Sequence, residues 1–234
     1  GGFALGWAYG DIEPSPPVYC YYSVEVIDLD EKDTFPDLCI PSGSVFFVFH
    51  GTGDGSFITP PDSYSCEIPG WTGPYVCALG DYDEDGYQDL AMGGDGAISG
   101  EAVYIFLNQQ NGSFLLNEPG YFVGAGSTGP VDDQVGTADL DLDNHLDLMY
   151  NNAGGSKKGY GDGTFDYSTN LSIYPITEFA LLDLDLDGDL DMVESWGLIL
   201  RNTTIMQGIE GTSATSSRIQ AFPNPFSSIV VITT

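Results

Sequence analysis

Basic residues are nearly absent from this sequence. Only five of 234 residues are Lys or Arg, against 35 Asp or Glu, and the formal charge is −30. Such a surface repels phosphate backbones and anionic headgroups, so no nucleic-acid partner is expected. No apolar run reaches the ~18 residues that a spanning helix requires, so no membrane insertion is expected either. The four cysteines form no CxxC pair, which excludes the common zinc and haem-attachment patterns. Histidine is also scarce. His50 and His145 lack an identifiable nucleophile partner, and no Gly-x-Ser-x-Gly or phosphate loop accompanies them. The sequence therefore reads as that of a non-enzyme. It opens on Gly1-Gly2 without Met, which suggests a removed leader or a longer parent.

Glycine (31), proline (14) and aromatics (13%) are abundant, and 42% of residues are hydrophobic. That combination supports a real core made of short strands joined by tight turns, and predicts an all-β chain. It is too apolar for an acidic disordered segment. An even cysteine count in such a chain favours disulfides and an extracytoplasmic location. Cys66 and Cys77 flank Pro69-Gly-Trp-Thr-Gly-Pro74, which reads as a looped hairpin, so they are the expected bridge. Cys20 and Cys39 then remain as the second pair, although four cysteines allow three connectivities.

The most concentrated signal is Asp183-Leu-Asp-Leu-Asp-Gly-Asp-Leu-Asp191. Carboxylates at every second position repel one another unless a cation lies between them. A glycine turn lets them converge, and a hard cation such as Ca²⁺ takes six to eight oxygens at roughly 2.3–2.6 Å. Asp183, Asp185, Asp187 and Asp191 are the expected side-chain ligands, with Asp189 giving its backbone carbonyl. The pattern recurs three times. Asp81, Asp83, Asp85 and Asp89 match it, with Tyr87 in the carbonyl position and Gly86 at the turn. Asp139, Asp141, Asp143 and Asp147 match it, with His145 in the carbonyl position and Asn144 replacing glycine. Asp28, Asp30, Asp33 and Asp37 match it with one extra residue and with Lys32 inside. EF-hand loops need flanking helices and an acid at position twelve, which the β-rich flanks do not support.

The flanks repeat too. An apolar strand precedes each loop, and Asp-Leu or Asp-Met follows it. Gly53-Asp-Gly-Ser-Phe57, Asn111-Gly-Ser-Phe114 and Gly161-Asp-Gly-Thr-Phe165 then read as hairpin turns after β-rich runs. Together these motifs resemble the FG-GAP/VCBS repeat over roughly residues 20–200. The resemblance implies an all-β fold of β-propeller-type blades: four repeats of about four antiparallel strands with calcium loops. The expected units are 20–75, 76–134, 135–178 and 179–202, holding about three to four Ca²⁺ ions. Residues 203–217 read as a polar linker. Ala221-Phe-Pro-Asn-Pro-Phe-Ser-Ser-Ile-Val-Val-Ile232 resembles the opening of a type A sorting domain of bacterial type IX secretion, so 218–234 is assigned to it.

These readings converge on a secreted or cell-surface calcium-binding protein of adhesive or structural character. Its expected partner is an extracellular protein or glycan, or further copies of itself joined through terminal strands into a fibre. The alternative is the propeller scaffold of a carbohydrate-active enzyme. Trp71 and Tyr75 form a candidate sugar-stacking platform, against the plainer reading of an apolar plug between blades.

Overall fold

The computed structural model describes residues 23–29, 33–96, 100–110, 113–124, 134–150, 155–167, 178–194, 197–202 and 220–222. Cys20, Asp30, Lys32, the linker 203–217 and residues 223–234 of the sorting-domain-like segment lie outside them. Among the described residues every regular element is a strand.

The strands group into one antiparallel meander per repeat. The first holds β1 (Glu25–Ile27), β2 (Asp37–Ser42), β3 (Val45–Phe49) and β4 (Asp62–Ser65). The second holds β5 (Trp71–Gly80), β6 (Asp89–Gly96), β7 (Gly100–Asn108) and β8 (Phe114–Gly124). The third holds β9 (Val135–Ala138), β10 (Asp147–Tyr150) and β11 (Gly155–Lys157). The fourth holds β12 (Phe179–Leu182), β13 (Asp191–Glu194), β14 (Ile199–Arg201) and β15 (Gln220–Phe222). Each sheet is a propeller-type blade. The second sheet starts at Trp71 rather than at residue 76. β15 comes from the stretch assigned by sequence to a sorting domain, yet it pairs with β14.

Period-two alternation explains how the blades stack. In blade two, Leu90 and Met92 of β6 join Cys77, Phe106 and blade one's Cys39, Phe46 and Val48 in one apolar layer. The intervening Ala91 faces the other way, with Val76, Ala78, Val103 and Ile105, toward Val135, Leu148 and Tyr150 of blade three. A third layer joins Met149 to Phe179, Met192 and Leu200 of blade four. A sheet buried on both faces needs near-continuous apolar strands, and β5 to β7 supply them. Gly93 marks one close approach between blades two and three. A Cβ there would lie 2.8 Å from Val76 Cγ2 and 3.1 Å from Val135 Cγ2.

One sequence expectation fails in this stacking. Cys39, Cys66 and Cys77 are buried free thiols, so the expected Cys66–Cys77 bridge is not made. The residues between them are not a closed hairpin: 71–77 run out along β5, and blade packing brings Cys39 of β2 against Cys77 instead. Burial also pushes the Cys66 thiol up to about 12. Of the two readings of Trp71 and Tyr75, the less favoured exposed platform does not match their burial. Trp71 is buried, its ring lies 5.0 Å from that of Tyr104, and its indole fills the space over Gly73 and Gly94. Tyr75 is half-buried beside it in β5. The plug reading holds for the tryptophan.

Candidate metal centres

Each acidic loop joins the first two strands of its sheet, with the same pairing at its mouth. Ile27, Gly80, Ala138 and Leu182 stand opposite Asp37, Asp89, Asp147 and Asp191. Register therefore places the last aspartate of each loop as the first residue of the second strand, and it is buried in all four repeats.

Those buried carboxylates do the same job every time. One oxygen accepts from the backbone N–H of the loop's second residue: Leu29 (3.1 Å), Tyr82 (2.9 Å), Leu140 (2.8 Å) or Leu184 (3.0 Å). The other accepts from a backbone N–H at the far end of the third strand or just beyond it: Gly51 (2.9 Å), Asn108 (2.8 Å), Gly159 (2.8 Å) or Asn202 (2.9 Å). A charged acceptor with two N–H donors is a strong buried contact. This aspartate, expected from sequence only as a ligand, thus also pins the loop to the next hairpin. Desolvation raises the carboxyl of Asp89 to about 7 and that of Asp147 to about 6, against the pull of those N–H donors.

The rest of loops two, three and four is equally regular. The first aspartate accepts from the N–H of the sixth residue: Gly86 to Asp81 at 3.0 Å, Asn144 to Asp139 at 2.8 Å and Gly188 to Asp183 at 3.2 Å. That sixth residue has positive φ each time (93°, 72° and 97°), which glycine and asparagine tolerate. So does the fourth residue, Glu84, Leu142 or Leu186 (58°, 59° and 63°), where residue type gave no warning. This backbone path turns carboxylate oxygens inward. Asp81, Asp83 and Asp85 converge in loop two; Asp139, Asp141 and Asp147 in loop three; Asp183, Asp185 and Asp191 in loop four. Within each trio the oxygens lie within 4.8 Å of one another, the separation expected of oxygens sharing one Ca²⁺.

The donor set fits a hard cation, and one atom points to one directly. Asp81 Oδ1 is buried and has no hydrogen-bond partner, a costly state for a carboxylate oxygen unless an ion completes it. The carboxyls of Asp83 and Asp185 are held above the usual range, by desolvation first and then by neighbouring carboxylates. Tyr87 and His145 are half-buried at the seventh position, whereas the Asp189 side chain is buried. Asp143 and Asp187 stand outside the converging trios; each accepts from the backbone N–H two residues on, His145 at 2.9 Å and Asp189 at 3.3 Å. Loop one gives no trio among the described residues. There Asp33 accepts from the N–H of Phe35 (2.7 Å), a local turn that the inserted residue permits.

Residues distant in sequence also reach the loops. Lys158 Nζ contacts Asp141 and lies 2.5 Å from Asp143 Oδ2, and Arg201 Nη1 lies 2.5 Å from Asp185 Oδ2. Gln110 Nε2 donates to Asp85 at 2.8 Å. His50 sits 3.0 Å from Asp62 and 3.5 Å from Asp37. His145 contacts Glu84, tying loop three to loop two, and that hydrogen bond raises the imidazole's affinity for its proton. Sequence reasoning passed over Lys158, Arg201 and Gln110. Only their place at or just past the end of the third strand of a repeat could have drawn attention to them.

The repeated loop within repeated meanders agrees with the family comparison. Residues 81–150 match the FG-GAP-like repeat. That segment runs from the first aspartate of loop two to the end of β10, and so contains loops two and three whole. Among solved structures, one described as showing specific recognition of non-reducing terminal N-acetylglucosamine by an Agrocybe aegerita lectin shares the fold. Its TM-score is 0.54 at 20% sequence identity, over 86% of this chain and 52% of that one. The chain thus spans about half the length of that lectin chain. No curated protein matches the sequence.

Proposed function

We propose that this chain is a calcium-stapled propeller module of a secreted or cell-surface protein, non-enzymatic, that presents a binding surface to an extracellular glycan or protein. The observation that carries the reading is the threefold convergence of carboxylates at the same place in successive blades, with Asp81 Oδ1 buried and uncompleted in loop two. A bound Ca²⁺ would supply charge neutralisation between the first two strands of a blade. The chain does the remainder: the ninth aspartate holds the loop to the following hairpin, and the positive-φ residues aim the other carboxylates. What favours binding over catalysis in this reading is that the clustered acidic groups are accounted for as backbone acceptors and candidate metal ligands.

Two measurements test this. Chelation should lower the melting temperature by many degrees and added calcium should restore it, because unpaired carboxylates repel one another in the metal-free fold. An unchanged melt in excess chelator would remove the calcium reading. Calcium-loaded protein on a glycan array that includes terminal N-acetylglucosamine addresses the ligand class, and electron microscopy of the same sample addresses self-assembly into fibres. Hydrolysis of arrayed glycans would overturn the non-enzymatic reading.

A further inference from the structure

Loops two, three and four share one backbone path but not one electrostatic state. The difference lies in the residue just before the one whose N–H caps the buried ninth aspartate. In repeats three and four that residue is Lys158, before Gly159, and Arg201, before Asn202. Each sends its cation onto the aspartates of its own loop: Lys158 onto Asp141 and Asp143, Arg201 onto Asp185. In repeat two the same place holds Leu107, before Asn108, and among the described residues the loop's aspartates receive no Lys or Arg but the neutral amide of Gln110 on Asp85, while His145 reaches Glu84. The sequence has just five Lys and Arg. Two of them at one structural position, on two acidic loops, is hard to ascribe to chance. Loop two, which lacks a cation there, has the Asp81 Oδ1 oxygen buried without a hydrogen-bond partner.

We propose that Lys158 and Arg201 are resident counter-ions of loops three and four, so that these loops hold together without metal and bind it only by displacing a protein cation, whereas loop two depends on metal. The inference rests on the calcium reading above and deepens it: the repeats form one obligatory site and two conditional ones. Lys158 also answers Asp143, with its Nζ 2.5 Å from Asp143 Oδ2. When calcium enters loop three, the ammonium must leave two carboxylates and its like charge must move away from the ion. Both costs disappear when the side chain is replaced by a neutral one of similar length.

The test is calorimetric titration of the metal-free full chain with Ca²⁺, for wild type, Asp81→Asn, Lys158→Met and Arg201→Met. Wild type should show one site tighter than the others, lost in Asp81→Asn. Lys158→Met and Arg201→Met should each tighten one of the weaker sites by roughly three- to ten-fold, the scale of a part-exposed ion pair plus removed repulsion. Thermal melts give a second readout that a merely structural role would not produce. Each Met variant should melt below wild type in chelator and above it in saturating calcium. Equal sites in wild type, with affinities and melts that ignore both Met variants, would overturn the proposal and leave calcium binding standing. No calcium heat from any of the four proteins would overturn both.

Discussion

Asp89 and Asp147 are the residues through which the metal-free fold should lose stability as pH rises. Both are buried, at 0% and 3% exposure, and both are displaced upward mainly by desolvation, to about 7 and about 6. An unfolded aspartate titrates near 3.9. Between about pH 4 and 7 the folded chain therefore binds more protons than the unfolded chain, so stability falls as pH rises through that window. His145, raised by its bond to Glu84, acts in the same direction. In chelator, the melting temperature should be higher at pH 5 than at pH 7.5. Saturating calcium, which favours the ionised carboxylates, should flatten or reverse the trend. A metal-free melting temperature that climbed from pH 5 to 7.5 would contradict this assignment. Much of the loop was legible at this scale, because acidic alternation and a glycine or asparagine turn are local properties of the chain. The double duty of the ninth aspartate was not. Its second N–H donor lies eleven to nineteen residues away, on a hairpin whose docking no local pattern encodes.

Between elements, one contact recurs at each blade junction. The carbonyl of a loop's second residue is taken by the following repeat: Leu29 by Asn108 Nδ2 (3.0 Å), Tyr82 by the Gly163 N–H (2.8 Å) and Leu140 by Asn202 Nδ2 (2.8 Å). The hairpin phenylalanines reinforce it. Phe114 meets Phe46 and Tyr64 of blade one edge-on, and Phe165 meets Tyr82 and Tyr121 of blade two. The repeating Phe was visible in the sequence, but its target was not, because a repeat motif does not say which neighbour it touches. The cysteines were misassigned for the same reason: proximity along the chain suggested Cys66 with Cys77, whereas stacking of β2 against β5 brought Cys39 to Cys77. Asn108→Ala and Asn202→Ala should each lower stability in urea titration by about 1–3 kcal/mol, by leaving a shielded carbonyl without its donor. The two contacts share no partner, so the losses should add in the double variant. A double variant no worse than either single one would mean that the junctions are not independent.

For the whole molecule, the fourth blade depends on a strand borrowed from well downstream. β15 pairs Gln220 with Arg201, Ala221 with Leu200 and Phe222 with Ile199, and so covers the edge of β14. A chain ending at Asn202 would present that edge to other chains. Light scattering should find it associating under conditions where the full chain does not, with a lower melting temperature. A monodisperse truncation of unchanged stability would show that β15 adds nothing. The junction carbonyls have a further consequence, for the order in which the chain matures. At the three described junctions the second carbonyl of loops one, two and three is taken by the repeat that comes after it. A growing or emerging chain therefore always carries one loop whose second carbonyl still awaits its donor, and each newly docked blade completes its predecessor while leaving itself open. Assembly acquires a direction, from amino to carboxyl end, with the most recently added blade as the one exposed to exchange, cleavage or mispairing.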